Sequence, residues 1–230
     1  MYPYMYYSYD TGYLLMVVTC LVLGMIAQAY INAQYNKWSR IPADGASGSQ
    51  VARLMLDSSN CSEVAIYSTP GHLTDHYDPR SNALYLSGDN MSGGSVASVA
   101  VACHEAGHAV QRKQGYFMMK VRHALVPVVN FMSNAWIFIF LFGMFTSVTR
   151  MYSIAVFMFA FTVLFHLVTL PVEINASRRA LAYIEASGMS PACVRGARQV
   201  LVAAALTYVA AALSSALQFL YLLRQANSDN

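Results

Sequence analysis

Long uncharged stretches alternate with polar ones along this chain, and that alternation lays out the molecule. Residues 13–31 contain no Lys, Arg, Asp or Glu and are about long enough to cross a bilayer as a helix. No basic segment precedes them, so the pattern predicts an uncleaved first span rather than a signal peptide. Residues 32–123 are polar. An apolar stretch returns at 124–148, although Pro127, Asn130, Ser133 and Asn134 suit its early part to a place outside lipid. Arg150 marks a turn, and residues 153–170 form a third apolar stretch. Residues 180–198 are polar, with a break at Gly188 and Pro191, and residues 200–223 form a fourth span. The predicted fold is a mainly α multi-pass membrane protein with about four transmembrane helices and a small α+β domain. Residues 1–31 make the tail and first span, 32–123 the main polar region, 124–172 the second and third spans, 173–198 a second polar helical segment, and 199–230 the last span and tail.

Finer periodicities subdivide the polar region. Pro42, Gly45 and Gly48 predict a loop over residues 41–49. Val51, Leu54 and Met55 are spaced for a helix over 50–57, with Ser49 as N-cap. Residues 64–67 read as a short strand. Residues 71–86 read as a hairpin turning at 78–82. Residues 93–114 read as a helix capped by Ser92, and its many small side chains predict close packing on several sides. Residues 1–12 are rich in Tyr, whose apolar ring and wet hydroxyl suit a membrane–water interface.

Composition agrees with a membrane protein: the chain is 57% hydrophobic and 11% charged, with a net charge of +3. That balance is too weakly basic for nucleic acid, and no stretch interleaves basic and aromatic residues. The four cysteines are scattered and predict neither a disulfide framework nor a cysteine metal site. With four spans and an outer N-terminus, Lys37, Arg40, Arg53, Arg80, Arg112, Lys113, Lys120, Arg122, Arg178, Arg179, Arg195 and Arg198 fall inside. Only Arg150 and Arg224 fall outside. That positive-inside bias predicts that the polar region faces the cytoplasm.

The chemistry centres on His104-Glu105-Ala106-Gly107-His108, an HExxH sequence. Residues four apart share a helix face, so both imidazoles can point at one ion. Glu105, about 100° round the helix, can reach a water held by that ion. Chance placement of this motif in a chain of this composition has odds on the order of a few in a thousand, so it outranks an ordinary short match. A catalytic Zn2+ usually takes three protein ligands. A third histidine at the HExxHxxGxxH spacing is absent, the later positions being Gln111 and Gln114. The third ligand must come from elsewhere, among Glu173, Glu185, His123, His166, His72, His76 and several Asp. Glu173 fits best, as a carboxylate directly after an apolar span on the same side as the motif, where coordination would pair it. An interfacial carboxylate paired with Arg178 or Arg179 is the other reading. His76 and Tyr77, on the hairpin, are candidates for stabilising an oxyanion or binding substrate.

Beyond the motif, LTDHYDPRSNALYLS (residues 73–87), VACHEAGHAVQ (101–111), ALVPVVNF (124–131), LPVEINASRRAL (170–181) and ALTYVAAAL (205–213) make nearly the whole chain resemble the YugP-like family of neutral zinc metallopeptidases of bacterial membranes. More distantly, it resembles the HtpX-like proteases and the prenyl-protein endopeptidases, in which HExxH is followed by a ligand Glu in an ExxxD pattern. Here Glu173 fits the ligand position and Ser177 stands where the Asp would be. That departure weakens the case for a supporting role at Ser177 without touching Glu173. The resemblance implies a zincin-like, gluzincin-type core: an active-site helix, a ligand helix, and an edge strand receiving peptide, at residues 73–77 or 83–86.

The expected function is membrane zinc metalloendopeptidase, with His104, His108 and Glu173 as metal ligands and Glu105 as catalytic base. Its partners would be a peptide or membrane-protein substrate and the lipid bilayer. A zinc-stabilised scaffold or adaptor, an intramembrane protease and a transporter are the rival readings. Oligomeric state is left open.

Overall fold

The computed structural model describes residues 11–146 and 151–228. The tyrosines of the first ten residues and the turn at Arg150 lie outside these. The apolar stretches become long helices: α1 (Thr11–Trp38), α5 (Phe117–Thr146), α6 (Met151–Ala186) and α7 (Pro191–Ser228). Three helices among the described residues are long and apolar enough to cross a membrane: Thr11–Trp38, Val156–Ala186 and Pro191–Arg224. The expected second span, 124–148, falls on α5, which is not among these three, and its last residues, 147–148, lie outside the described set. In their membrane windows these helices bury little against one another, 6% for the first. Exposed Leu14, Leu15, Leu21, Met25 and Ile26 on α1 are what a lipid-facing surface requires.

The polar region folds as α2 (Gly48–Ser58), β1 (Ala65–Thr69), β2 (His76–Asp78), β3 (Ala83–Ser87), α3 (Gly88–Met91) and α4 (Val96–Lys113). Two caps differ from expectation. Ser47, not Ser49, caps α2, because Gln50 is placed to complete a reciprocal capping box with it. Ser95, not Ser92, caps α4, accepting from the Ser98 amide at 3.1 Å. The predicted hairpin forms, with β2 antiparallel to β3, and β1 pairs parallel to β3 on its other side. The order β1-β3-β2 places residues 83–86 at the centre, so of the two expected edge segments only the one carrying β2 is an edge. Asp75 secures that edge by accepting from the Ser87 amide, the Ser87 hydroxyl and Asn90 at 2.8–2.9 Å.

α6 runs unbroken through Pro171, although a proline inside a helix ordinarily disturbs it. Proline removes one backbone donor, but packing on both flanks holds the helix, with Val172 and Glu173 buried on the α4 side. The helix is continuous from the apolar residues before Pro171 to residue 173 and beyond.

α4 is the hub, packing against α2, α6 and α7 with most of its residues buried. Its small side chains let α6 come close. A Cβ placed on Gly107 would lie 2.8 Å from the Ala176 carbonyl oxygen and 3.2 Å from its Cα. The contact is with backbone, which cannot swing aside. Gly107→Ala is therefore expected to push α4 and α6 apart, costing about 1–3 kcal/mol. It should also weaken metal binding more than Gly24→Ala, a site open to a Cβ. Thermal unfolding in detergent with and without zinc checks both.

Candidate metal centre

One helical turn separates His104 from His108 on α4, and their rings meet edge to face at 4.8 Å. Glu173 reaches them from α6. Its Oε2 lies 3.1 Å from His104 Nε2 and 3.5 Å from His108 Nε2. These three form a group of potential ligands whose donor atoms all lie within 4.8 Å of one another. Donors bound to one tetrahedral ion at 2.0–2.2 Å sit about 3.4 Å apart. The two separations from Glu173, 3.1 and 3.5 Å, bracket that value, so the residues fit a metal such as zinc. The donor set of two imidazoles and a carboxylate leaves a position over for water.

Both imidazoles are oriented from behind. His108 Nδ1 lies 3.0 Å from Gln111 Oε1, and the Gln111 amide donates to the Val172 carbonyl at 2.8 Å and Asn175 Oδ1 at 3.0 Å. Because the amide oxygen can only accept, the proton belongs on His108 Nδ1, leaving the Nε2 lone pair facing Glu173. His104 Nδ1 lies 3.1 Å from Ser177 Oγ. This corrects the expectation at Ser177: four residues along α6 from Glu173, its hydroxyl stands behind His104 as an Asp would. Burial acts to lower the His108 pKa, but the hydrogen bond to Glu173 and the Glu105 and Glu173 charges outweigh it and raise it.

Glu105 is buried on a neighbouring face of α4, and its Oε2 accepts from the Tyr77 amide at 3.0 Å. Tyr77 faces Leu84 in the β2–β3 register, so an amide that bonds Glu105 points to the open edge of the sheet. The hairpin residues reach the site through main chain. The Tyr77 hydroxyl donates to Asn82 Oδ1 at 2.7 Å and accepts from Arg112 at 3.0 Å. His76 stacks on Tyr85 at 5.0 Å, with Nδ1 2.9 Å from the Thr74 carbonyl. Alternation along β2 sends these two side chains to opposite faces. No described contact joins either side chain to the ligand group.

The other third-ligand candidates lie outside that group. Glu185 pairs with Arg198 at 2.7 Å and His72 with Asp89 at 3.3 Å. His166 is on α6 with Nδ1 buried and unpartnered, away from the group. At His123 burial lowers the pKa, with Arg122 and Arg112 adding to it. Arg179 bonds Asn175 and Gln114, so it does not serve as the partner of Glu173. That partner is Arg122 of α5, 3.3 Å from Glu173 Oε1. The Tyr208 phenol of α7 lies near enough to Glu173, Glu105 and Arg122 for their charges to act on it. Sequence reasoning passed over Gln111, Arg122 and Tyr208. Only Gln111 had a local signal, since it sits three residues past His108 and so on nearly the same face.

Comparison with known proteins adds two findings. The model of a family described as "Putative neutral zinc metallopeptidase" matches residues 13–227. "Putative membrane protease YugP" of Bacillus subtilis (strain 168) is 38% identical over 214 residues, covering 90% of this chain and 93% of that protein. No solved structure matches the chain.

Proposed function

The chain belongs to the neutral zinc metallopeptidase family whose model covers it from residue 13 to 227, and on that premise we propose that it is a gluzincin-type endopeptidase hydrolysing peptide bonds at the cytoplasmic surface of a bacterial membrane. The observation that carries this reading is the meeting of His104, His108 and Glu173 within 4.8 Å, beside the buried carboxylate of Glu105. A zinc ion held there would supply Lewis-acid activation of a water near neutral pH.

The chain's own residues perform the rest. Glu105 accepts the proton of the attacking water and passes it to the leaving amine. The Tyr77 amide keeps that carboxylate aimed and outside the ligand set. Gln111 holds His108 in the tautomer that frees its Nε2, and the Ser177 hydroxyl accepts from His104 Nδ1–H when the Nε2 of that ring is given to the metal. Arg122 binds the oxygen of Glu173 that faces away from the histidines, leaving the other for the metal. An extended peptide is received along the outer edge of the β2 segment by main-chain hydrogen bonds to groups other than the Tyr77 amide, which Glu105 holds, and such pairing reads little sequence. Loops and ends of membrane proteins suit such an edge.

The cytoplasmic orientation is supported by the excess of Lys and Arg on that side of the spans. The continuous α6 supports a site at the mouth of a span. The test is cleavage of unfolded casein by the purified full chain in detergent. Activity is expected to disappear after chelation with 1,10-phenanthroline and to return with stoichiometric zinc. Cleavage indifferent to chelation would reject the metal-dependent mechanism.

A further inference from the structure

The apolar stretch of α6 between residues 154 and 170 contains three polar side chains, Thr162, His166 and Thr169, and they are not scattered. By helical rotation all three lie within an arc of about 60° centred on the position of Glu173. Resting on the peptidase reading, we propose that this stripe holds a file of water molecules leading from within the membrane span to the metal centre, and that the file supplies the water consumed in hydrolysis.

Two members of the stripe carry buried polar atoms with no partner among the described residues, Thr169 Oγ1 and His166 Nδ1. Thr169 is 4% exposed, so its hydroxyl is sealed from the lipid side. Hydroxyls elsewhere in the spans return to their own helix. Thr19 donates to the Leu15 carbonyl at 2.8 Å, Thr207 to Ala204 at 2.6 Å and Ser215 to Ala212 at 2.9 Å. The same local bond is open to any helical threonine. Dry hydrocarbon would drive Thr169 into it, since nothing else there accepts a proton. Thr169 does not make it, so its hydroxyl is set for a partner outside the helix.

Water fits that partner. Residues three apart are neighbours on a helix surface, so one molecule can bridge Thr169 Oγ1 and His166 Nδ1. Buried waters typically make about three hydrogen bonds, to polar groups otherwise unsatisfied. The helix rise puts Thr169 about 6 Å and His166 about 10 Å from the level of Glu173, a spacing that two or three waters fill. The packed neighbour α5 adds polarity at the same depth. Arg122, 3.3 Å from Glu173, sets the two helices level, and Asn130 then lies about two turns into α5, as His166 lies about two turns into α6. The stripe ends at the carboxylate that faces both ligand imidazoles. Each hydrolysed bond consumes one water, its OH going to the new carboxyl group and its H to the new amine. A peptide held along β2 covers the site from the polar region, so replacement water enters from the span.

The experiment uses the full zinc-loaded chain in lipid nanodiscs. In deuterium oxide, the Cε1 hydrogen of wild-type His166, followed by mass spectrometry, should exchange within about tenfold of the rate at His72, whose side chain is 60% exposed. Methanethiosulfonate ethylammonium reacts with thiolates, which form where water reaches, so Thr169→Cys should be labelled at that site about tenfold or more faster than Leu167→Cys on the exposed face. Thr169→Val removes the hydroxyl at nearly constant volume. It should lower kcat for casein about five- to tenfold with KM and zinc affinity unchanged. A His166 that does not exchange would overturn the inference, and that readout decides alone if Thr169→Cys folds poorly. Labelling of a folded Thr169→Cys no faster than Leu167→Cys would overturn it as well. So would unchanged kcat in Thr169→Val, or a loss traced to zinc affinity, which would make Thr169 a support for Glu173. A wild-type chain whose His166 exchanges but which binds zinc without cleaving casein would overturn the peptidase reading, and the supply role with it.

Discussion

Glu105→Gln is expected to lower peptide hydrolysis by on the order of 10³-fold or more while the chain still binds one zinc ion. The separation of effects follows from where Glu105 sits. His104 and His108 share the face turned to Glu173, whereas Glu105 is about 100° away and accepts from the Tyr77 amide. Gln has the same length and can still accept from that amide, so packing of β2 against α4 should persist. The amide cannot take a proton from water. Metal content by elemental analysis and casein turnover, on one preparation, give both readings. A Glu105→Gln chain with wild-type turnover would reject the assigned base, and one that lost its metal would make Glu105 a ligand.

Glu173→Ala is expected to abolish activity by the other route, through loss of the metal. Removing the side chain takes away the one anionic donor facing both imidazoles. Residues that merely orient ligands are worth about 10–100-fold in metal affinity, and a direct ligand should exceed that. The same change leaves Arg122 without its carboxylate. Glu173 is 2% exposed, so a charged partner is stranded beside a cavity. Breaking a fully buried pair costs about 3–5 kcal/mol, and the partial exposure of Arg122 should reduce this to about 1–3 kcal/mol. Glu173→Gln separates the effects, since a neutral side chain of the same shape keeps an oxygen for Arg122. It should lose zinc affinity with a smaller loss of thermal stability. Competition against a chromogenic zinc chelator and metal-free unfolding curves supply the two measurements. Retention of wild-type zinc affinity in Glu173→Ala would exclude it as the third ligand.

Much of this arrangement is legible in residue order because it depends on neighbours along the chain. The i, i+4 spacing of His104 and His108 is a property of one helix. The turn residues between β2 and β3, and the alternation around them, marked the hairpin. Loss of charge marked α1, α6 and α7. Glu173 was legible for an energetic reason, a carboxylate at the end of an apolar helix needing a partner.

Local signals failed where distant chain decided the outcome. Ser92 and Ser95 are equally good caps by residue type, and the choice fell to Ser95, whose neighbouring Val96 amide pairs with the Ile41 carbonyl at 2.9 Å. Pro171 is a helix breaker in isolation, yet packing carries α6 through it. Ser177 looked a poor replacement for Asp until α6 set its hydroxyl 3.1 Å from His104.

The sequence by itself determined the elements, the paired histidines with their adjacent carboxylate, and the membrane character, since each follows from periodicity, spacing or transfer of apolar surface. Only the tertiary structure decided that Arg122 answers Glu173 and that Gln111 and Ser177 stand behind the ligands. Those contacts depend on how closely α4, α6 and α7 approach, set by Gly107 and the alanines between them. Interhelical distance is a sum over packed surfaces far apart in the chain, and no single stretch encodes it.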